Sequence, residues 1–133
     1  MSLDNHTTAI VGIGTDLTDV KRIALLIEKY GDSFLTKTFT EKEISDCKNS
    51  ANSAEKFASR FSAKEAMAKA LGTGIRGKIT LKSLSVVNDE LGKPIAILDE
   101  NAQARLAEIG AKEMLISLTH LKEYAQAFAI ATR

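Results

Sequence analysis

Phe57-Ala58-Ser59-Arg60-Phe61-Ser62-Ala63-Lys64-Glu65-Ala66-Met67-Ala68-Lys69-Ala70-Leu71-Gly72-Thr73-Gly74 is the stretch on which the fold turns. It has no proline and five alanines among helix-favouring lysine, glutamate, methionine and leucine, so it reads as one long helix. Asn52 and Glu55 offer a start, and Gly72 a stop. Glu65 and Lys69 fall one turn apart, placing a carboxylate and an ammonium on one face. Alone, that pair reads as an ordinary surface contact worth roughly a few tenths of a kcal/mol.

The reading changes when the N-terminal region is set beside it. Ile10-Val11-Gly12-Ile13-Gly14-Thr15-Asp16 is an apolar strand that ends in an aspartate just after two glycines. Glycines there let another backbone or a ligand come close. Magnesium needs hard oxygen ligands and keeps several waters, so one or two carboxylates plus substrate phosphate oxygens are enough. Asp16 and Glu65 supply that minimum, and Lys69 is spaced to offset charge on the same phosphates. The combination points to a magnesium site for a phosphate ester.

Around this pair the pattern is α+β. Val20, Ile23, Ala24, Ile27 and Tyr30 form a helical stripe, with Thr18 or Asp19 as its cap and Gly31 as its end. A second helix starts at the capping box Thr40-Glu41-Lys42-Glu43 and runs to about Asn49. Lys78 to Asn88 reads as a strand, Asp89 to Lys93 as a turn and Pro94 to Leu98 as the returning strand. A short helix over 99–109 ends at Gly110, and Met114 to Thr119 and Tyr124 to Ala131 are two further strands. The expected order is β-α-α-α-β-β-α-β-β, an antiparallel sheet packed with a long central helix and shorter ones.

The 133 residues suit one domain over 9–133, with residues 1–8 read as a disordered arm or appended residues. Eighteen basic and seventeen acidic residues leave a formal charge of +1, which gives no global field for nucleic acid or an anionic membrane. Cys47 is the only cysteine, which excludes an intramolecular disulfide and a thiolate zinc centre. No apolar run is long enough for export or a membrane span, so a cytoplasmic location is expected.

Two nucleotide fingerprints fail. Leu17 stands where a dinucleotide motif beginning at Gly12 needs its third glycine. Gly72-Thr73-Gly74-Ile75-Arg76-Gly77-Lys78 imitates a P-loop, but Ile79 replaces the hydroxyl, and the loop follows a helix and precedes a strand. On the first helix, Arg22 and Lys29 lie opposite the apolar stripe with Leu25 and Leu26 at their flanks. That face suits an acidic amphipathic helix or, equally, packing within the chain or against a neighbouring subunit.

Gly12-Ile13-Gly14-Thr15-Asp16-Leu17, Phe39-Thr40-Glu41-Lys42-Glu43, Arg60 to Ala66 through Lys69 to Gly74, Asn88 to Pro94 and Ser117-Leu118-Thr119-His120 together resemble the small bacterial phosphopantetheinyl transferases, the holo-[acyl-carrier-protein] synthases. The resemblance implies transfer of 4′-phosphopantetheine from coenzyme A to a serine of apo-acyl carrier protein, with release of adenosine 3′,5′-bisphosphate. It implies Asp16 and Glu65 as magnesium ligands and Lys69 as the partner of the pyrophosphate or leaving group. By matching position, Arg60, Gly72, Thr73, Gly74, Pro94, Thr119 and His120 line the coenzyme A cleft, and Arg22, Leu25, Leu26 and Lys29 belong to the carrier docking face. A homotrimer with the cleft between subunits is implied as well. From the residues alone, a magnesium-dependent hydrolase of a nucleoside diphosphate compound and a trimeric binding module stay open as alternatives.

Overall fold

The computed structural model describes residues 8–133, and the expectation for residues 1–7 lies outside the described residues. The elements are β1 (Ile10–Asp19), α1 (Val20–Tyr30), α2 (Asp32–Thr38), α3 (Glu41–Lys48), α4 (Ser53–Ala70), β2 (Leu84–Asn88), β3 (Pro94–Leu98), α5 (Glu100–Glu108), β4 (Glu113–His120) and β5 (Tyr124–Thr132). Strands β1, β5 and β4 form an antiparallel sheet with β5 in the middle, and β2 and β3 form a separate hairpin. The α+β expectation holds, with α4 laid across the larger sheet.

Small residues decide how close α4 lies. Ala125, Ala127, Ala129 and Ala131 are all buried on the inner face of β5; the last three pack with Ala63, Ala66, Met67 and Ala70 of the helix, and Ala125 with its Phe57, Ala58 and Phe61. On β1 the inward positions include Gly12 and Gly14. A Cβ at Gly12 would stand 2.0 Å from the Ala70 carbonyl oxygen, and one at Gly14 1.9 Å from that of Ala66. The backbones of α4 and β1 therefore touch without intervening side chains, which is the close approach that the two glycines suggest.

A buried ion pair clamps α4 from another direction. Lys64 Nζ donates to Glu43 Oε1 at 2.6 Å and to the carbonyls of Leu81 and Leu84, both at 2.9 Å. Glu43 also accepts the N–H of Thr40 at 3.0 Å and of Val86 at 3.0 Å. Both side chains are fully buried, and burial draws the Lys64 ammonium below the usual lysine range against the opposing pull of Glu43. Every proton of the ammonium is used, so the desolvated charge is compensated. Four segments of chain converge on this one pair.

Two elements differ from expectation. Helix α2 follows directly on Gly31, which turns the chain at φ 55°. Its seven residues are too few to show a period, and it buries Leu35 and Thr38. The strand expected from Lys78 starts only at Leu84, because Arg76 and Ile79 exchange two 2.9 Å backbone bonds and a 3₁₀ turn occupies Leu81–Ser83. At the start of α4, Asn52 is the cap residue but makes no capping bond; its Oδ1 accepts from the Ser50 hydroxyl at 2.6 Å instead.

Gly14→Ala is expected to destabilise the protein by about 3 kcal/mol or more, because backbone cannot yield as a side chain would. Gly31→Ala, with open space around the new methyl but a left-handed backbone, should cost only about 1 kcal/mol. Urea unfolding of the two variants measures the difference, and equal losses would contradict this account of the close approach.

Candidate active site

Asp16 sits on the inward side of β1, in register with Ala127. Its position is held at three points. The Ser62 hydroxyl of α4 donates to its backbone carbonyl at 2.8 Å, and the Thr18 hydroxyl donates to Oδ2 at 2.6 Å. Lys69 Nζ donates to the Thr15 carbonyl at 2.8 Å and stands 3.7 Å from Asp16 Oδ1. Lys69 thus turns toward the strand. Among the described residues it makes no ion pair with Glu65, so the ordinary i,i+4 contact is not what forms.

Glu65 is half-buried on the face of α4 that looks toward the end of β1. Burial raises its pKa above the usual carboxylate range, the negative charge of Asp16 raises it further, and Lys69 and Arg22 pull the other way. Two carboxylates, one ammonium and one guanidinium therefore act on each other across the β1–α4 seam. Like charges so placed disfavour each other's ionised form, and a cation between them would relieve that cost. Among the described residues no group of three or more His, Cys, Asp or Glu side chains is placed to hold a metal. Two hard oxygen donors without a third fit a small divalent cation that keeps waters or takes phosphate oxygens, and do not fit a structural zinc.

The other sequence candidates lie elsewhere in the chain. Arg60 is buried to 6% exposure, and its Nε has no hydrogen-bond partner among the described residues. It lies near Cys47, whose thiol is pushed up by burial with Arg60 opposing, an unreactive cysteine as expected. Gly72, Thr73 and Gly74 close α4: the N–H groups of Thr73 and Gly74 bond the Ala68 carbonyl at 3.3 and 3.1 Å, and both glycines have positive φ. His120 Nδ1 lies 3.1 Å from Glu55 Oε1 in the first turn of α4. Glu65 is ten residues further along, about 15 Å at the helical rise. Thr119 is exposed at the same end of β4, and Pro94 lines a cleft of ≈ 590 Å³ between β3 and β4 with Lys93, Lys112 and Met114. One chain brings together Asp16, Glu65, Lys69 and Arg22, and leaves Pro94, Thr119 and His120 apart from them.

Arg22 and Lys29 line a shallow groove of ≈ 350 Å³ on α1 with Leu25, Leu26 and Tyr30. Leu25 is 54% exposed, as its outward position implies, whereas Leu26 is partly buried and packs against the core cluster of Ile23 and Phe39. The groove continues onto α2 past Phe34 and Lys37. Sequence reasoning missed Ser62 and the bond of Thr18, which looked like an alternative cap, to the Asp16 carboxylate. The cap is Asp19, which accepts the Lys21 N–H at 2.9 Å. The one available signal was the i,i+2 spacing of Thr18 and Asp16, which puts both on one face of a strand.

An α+β frame that sets two carboxylates beside a lysine suits an enzyme acting on phosphate esters. Residues 12–129 match the 4′-phosphopantetheinyl transferase superfamily, and the chain belongs to it. A holo-[acyl-carrier-protein] synthase of Caulobacter sp. (strain K31) is 44% identical over 125 residues, covering 91% of this chain and 94% of that one. Among solved structures, the holo-[acyl-carrier-protein] synthase of Neisseria meningitidis superposes with a TM-score of 0.85 at 35% identity, covering 93% of this chain and 99% of that one. That of Bacillus anthracis, in complex with coenzyme A (3′,5′-ADP), gives a TM-score of 0.76 at 35% identity over 94% and 98% of the two chains. Among the described residues no helix is long and apolar enough to cross a membrane.

A carboxyl whose pKa is raised on folding holds its proton more tightly in the folded state. Its cost to stability is absent below the unfolded pKa, roughly 4.3, and complete once the pH exceeds the folded value. Without divalent metal, Glu65→Gln should therefore melt higher than the parent at pH 7, by a margin that shrinks toward pH 4. Thermal melts across that range in EDTA check this, and a variant that melts lower at pH 7 would refute the destabilisation of ionised Glu65 by burial and by Asp16.

Proposed function

We propose that this enzyme transfers 4′-phosphopantetheine from coenzyme A to a serine hydroxyl of apo-acyl carrier protein in the cytoplasm, with Asp16 and Glu65 holding magnesium. The observation that carries the reading is the convergence of those two carboxylates beside Lys69 at the seam of β1 and α4. Magnesium, when bound there, supplies charge neutralisation for the pyrophosphate of coenzyme A. Lys69 adds a cation on the same side, suited to the leaving phosphate. The serine oxygen forms a bond to the phosphorus that bears the pantetheine. The bond from that phosphorus to the bridging oxygen breaks, and adenosine 3′,5′-bisphosphate leaves. The serine proton passes to Glu65 or to water, two routes the arrangement serves equally.

The docking face follows from charge and shape. A groove with apolar Leu25 and Leu26 between Arg22 and Lys29 suits the acidic amphipathic helix of a carrier protein. Arg22 also acts on Glu65, so a partner seated on α1 delivers its serine next to the carboxylates. Arg60 offers an unpaired buried donor for an anionic group of coenzyme A.

Assembly as a homotrimer is part of the proposal. The outer face of the larger sheet carries Ile13 at 71%, Leu17 at 63%, Phe128 at 54% and Leu115 at 46% exposure. Ile13 and Leu115 both pair with Ile130, so these three form an apolar row across the sheet, with Phe128 one row along between Thr15 and Ser117, a partly apolar face suited to a subunit contact. Subunits packed there give a reason for the dispersal of Pro94, Thr119 and His120: a neighbour's copies complete the cleft that begins at Asp16.

Incubation of apo-carrier with the enzyme, coenzyme A and magnesium is expected to add one phosphopantetheine to one serine, read by intact-protein mass spectrometry. Asp16→Asn should lower that rate by at least about 10³-fold, and full turnover by this variant would overturn the metal assignment. Lys29→Glu, away from the carboxylates, should raise the carrier concentration at half-maximal rate about tenfold and leave that of coenzyme A unchanged. In sedimentation runs Phe128→Glu should shift the trimer to monomer with loss of transfer; a monomeric parent would contradict the assembly.

A further inference from the structure

Thr18 is buried to 3% exposure on β1, and its hydroxyl has one partner among the described residues, Oδ2 of Asp16 at 2.6 Å. At a buried strand position valine would fill the same space, and an unbonded buried hydroxyl is costly. The side chain is not a helix cap, since Asp19 has that role. Its hydroxyl is spent wholly on one oxygen of Asp16, while Oδ1 faces the cation of Lys69 at 3.7 Å.

That division of the carboxylate has a consequence for metal choice. Magnesium takes six ligands in a tight octahedron and is content with one oxygen from a carboxylate. Calcium takes six to eight ligands at longer distances and gains from two-oxygen carboxylate coordination. We infer that Thr18 is a specificity-determining residue: by holding Oδ2 it keeps Asp16 a one-oxygen ligand and so favours magnesium over calcium. The inference rests on the proposed reading of Asp16 as a metal ligand. Thr18 acts through Asp16 and is a positioning residue.

The test uses Mn²⁺ as a spectroscopic probe. Electron paramagnetic resonance measures Mn²⁺ bound to enzyme with coenzyme A, corrected for coenzyme A alone, and Mg²⁺ or Ca²⁺ then displaces it. For Thr18→Val the ratio of displacing concentrations should move about tenfold toward calcium, the scale of effects seen for residues that orient metal ligands. Its melting midpoint should stay level or rise. Thr18→Ser should keep the parent ratio while its midpoint falls by about 3–5 °C, the methyl having been lost from a packed site. Metal preference would then follow the hydroxyl and stability the methyl. A parent-like ratio in Thr18→Val, or an equal shift in Thr18→Ser, would overturn the inference and leave Asp16 as a ligand untouched. If the parent binds no Mn²⁺ beyond coenzyme A alone and Asp16→Asn is indistinguishable from it, the metal reading itself fails and this inference with it.

Discussion

The contact of two backbones, α4 against β1 at Gly12 and Gly14, is the constraint from which the rest follows. With no Cβ between them, the carbonyls of Ala66 and Ala70 meet the strand directly. This seats Glu65 and Lys69 over the end of the strand that carries Asp16. The alanine stripe of β5 extends the same close approach beneath the helix. Larger side chains at these positions would lift α4 off the sheet and separate the carboxylates, whatever their identities.

Electrostatics then acts on a fixed frame. One buried pair, Lys64 with Glu43, is complete in itself: each proton has an acceptor, and the carboxylate binds backbone at two further points. The neighbouring residue on the helix, Glu65, is the reverse case, a carboxylate held near another with only Lys69 and Arg22 to offset it. Adjacent positions thus serve opposite ends. The first spends its charge on holding the helix in place, and the second, in the proposed reading, keeps its charge for a ligand.

Much of this was legible in the primary structure because it is local. The Gly72 stop, the Thr40–Glu43 capping box, the α1 stripe and the Asp89–Lys93 turn all depend on residues within a few positions of each other. What was hidden depends on distance or brevity. Lys64 reads as one more solvated cation until Glu43, 21 residues away, arrives beside it. Thr18 reads as a cap until its neighbour on the same strand face claims its hydroxyl. Helix α2 is too short to display a period, and the loop before β2 closes through a single pair of backbone bonds that no side chain announces. For the site, the residue types and spacing indicated Asp16, Glu65 and Lys69, and the tertiary contacts added Arg22, Ser62 and Thr18.

The central claim is that Asp16 and Glu65 share one divalent ion. Crystals grown with coenzyme A and Mn²⁺, measured for anomalous scattering at the manganese edge, test it directly. The account predicts a single strong peak between the two carboxyl groups, within bonding distance of both and of the pyrophosphate. A peak that contacts neither carboxylate, or coenzyme A bound with no metal at the β1–α4 seam, would contradict it.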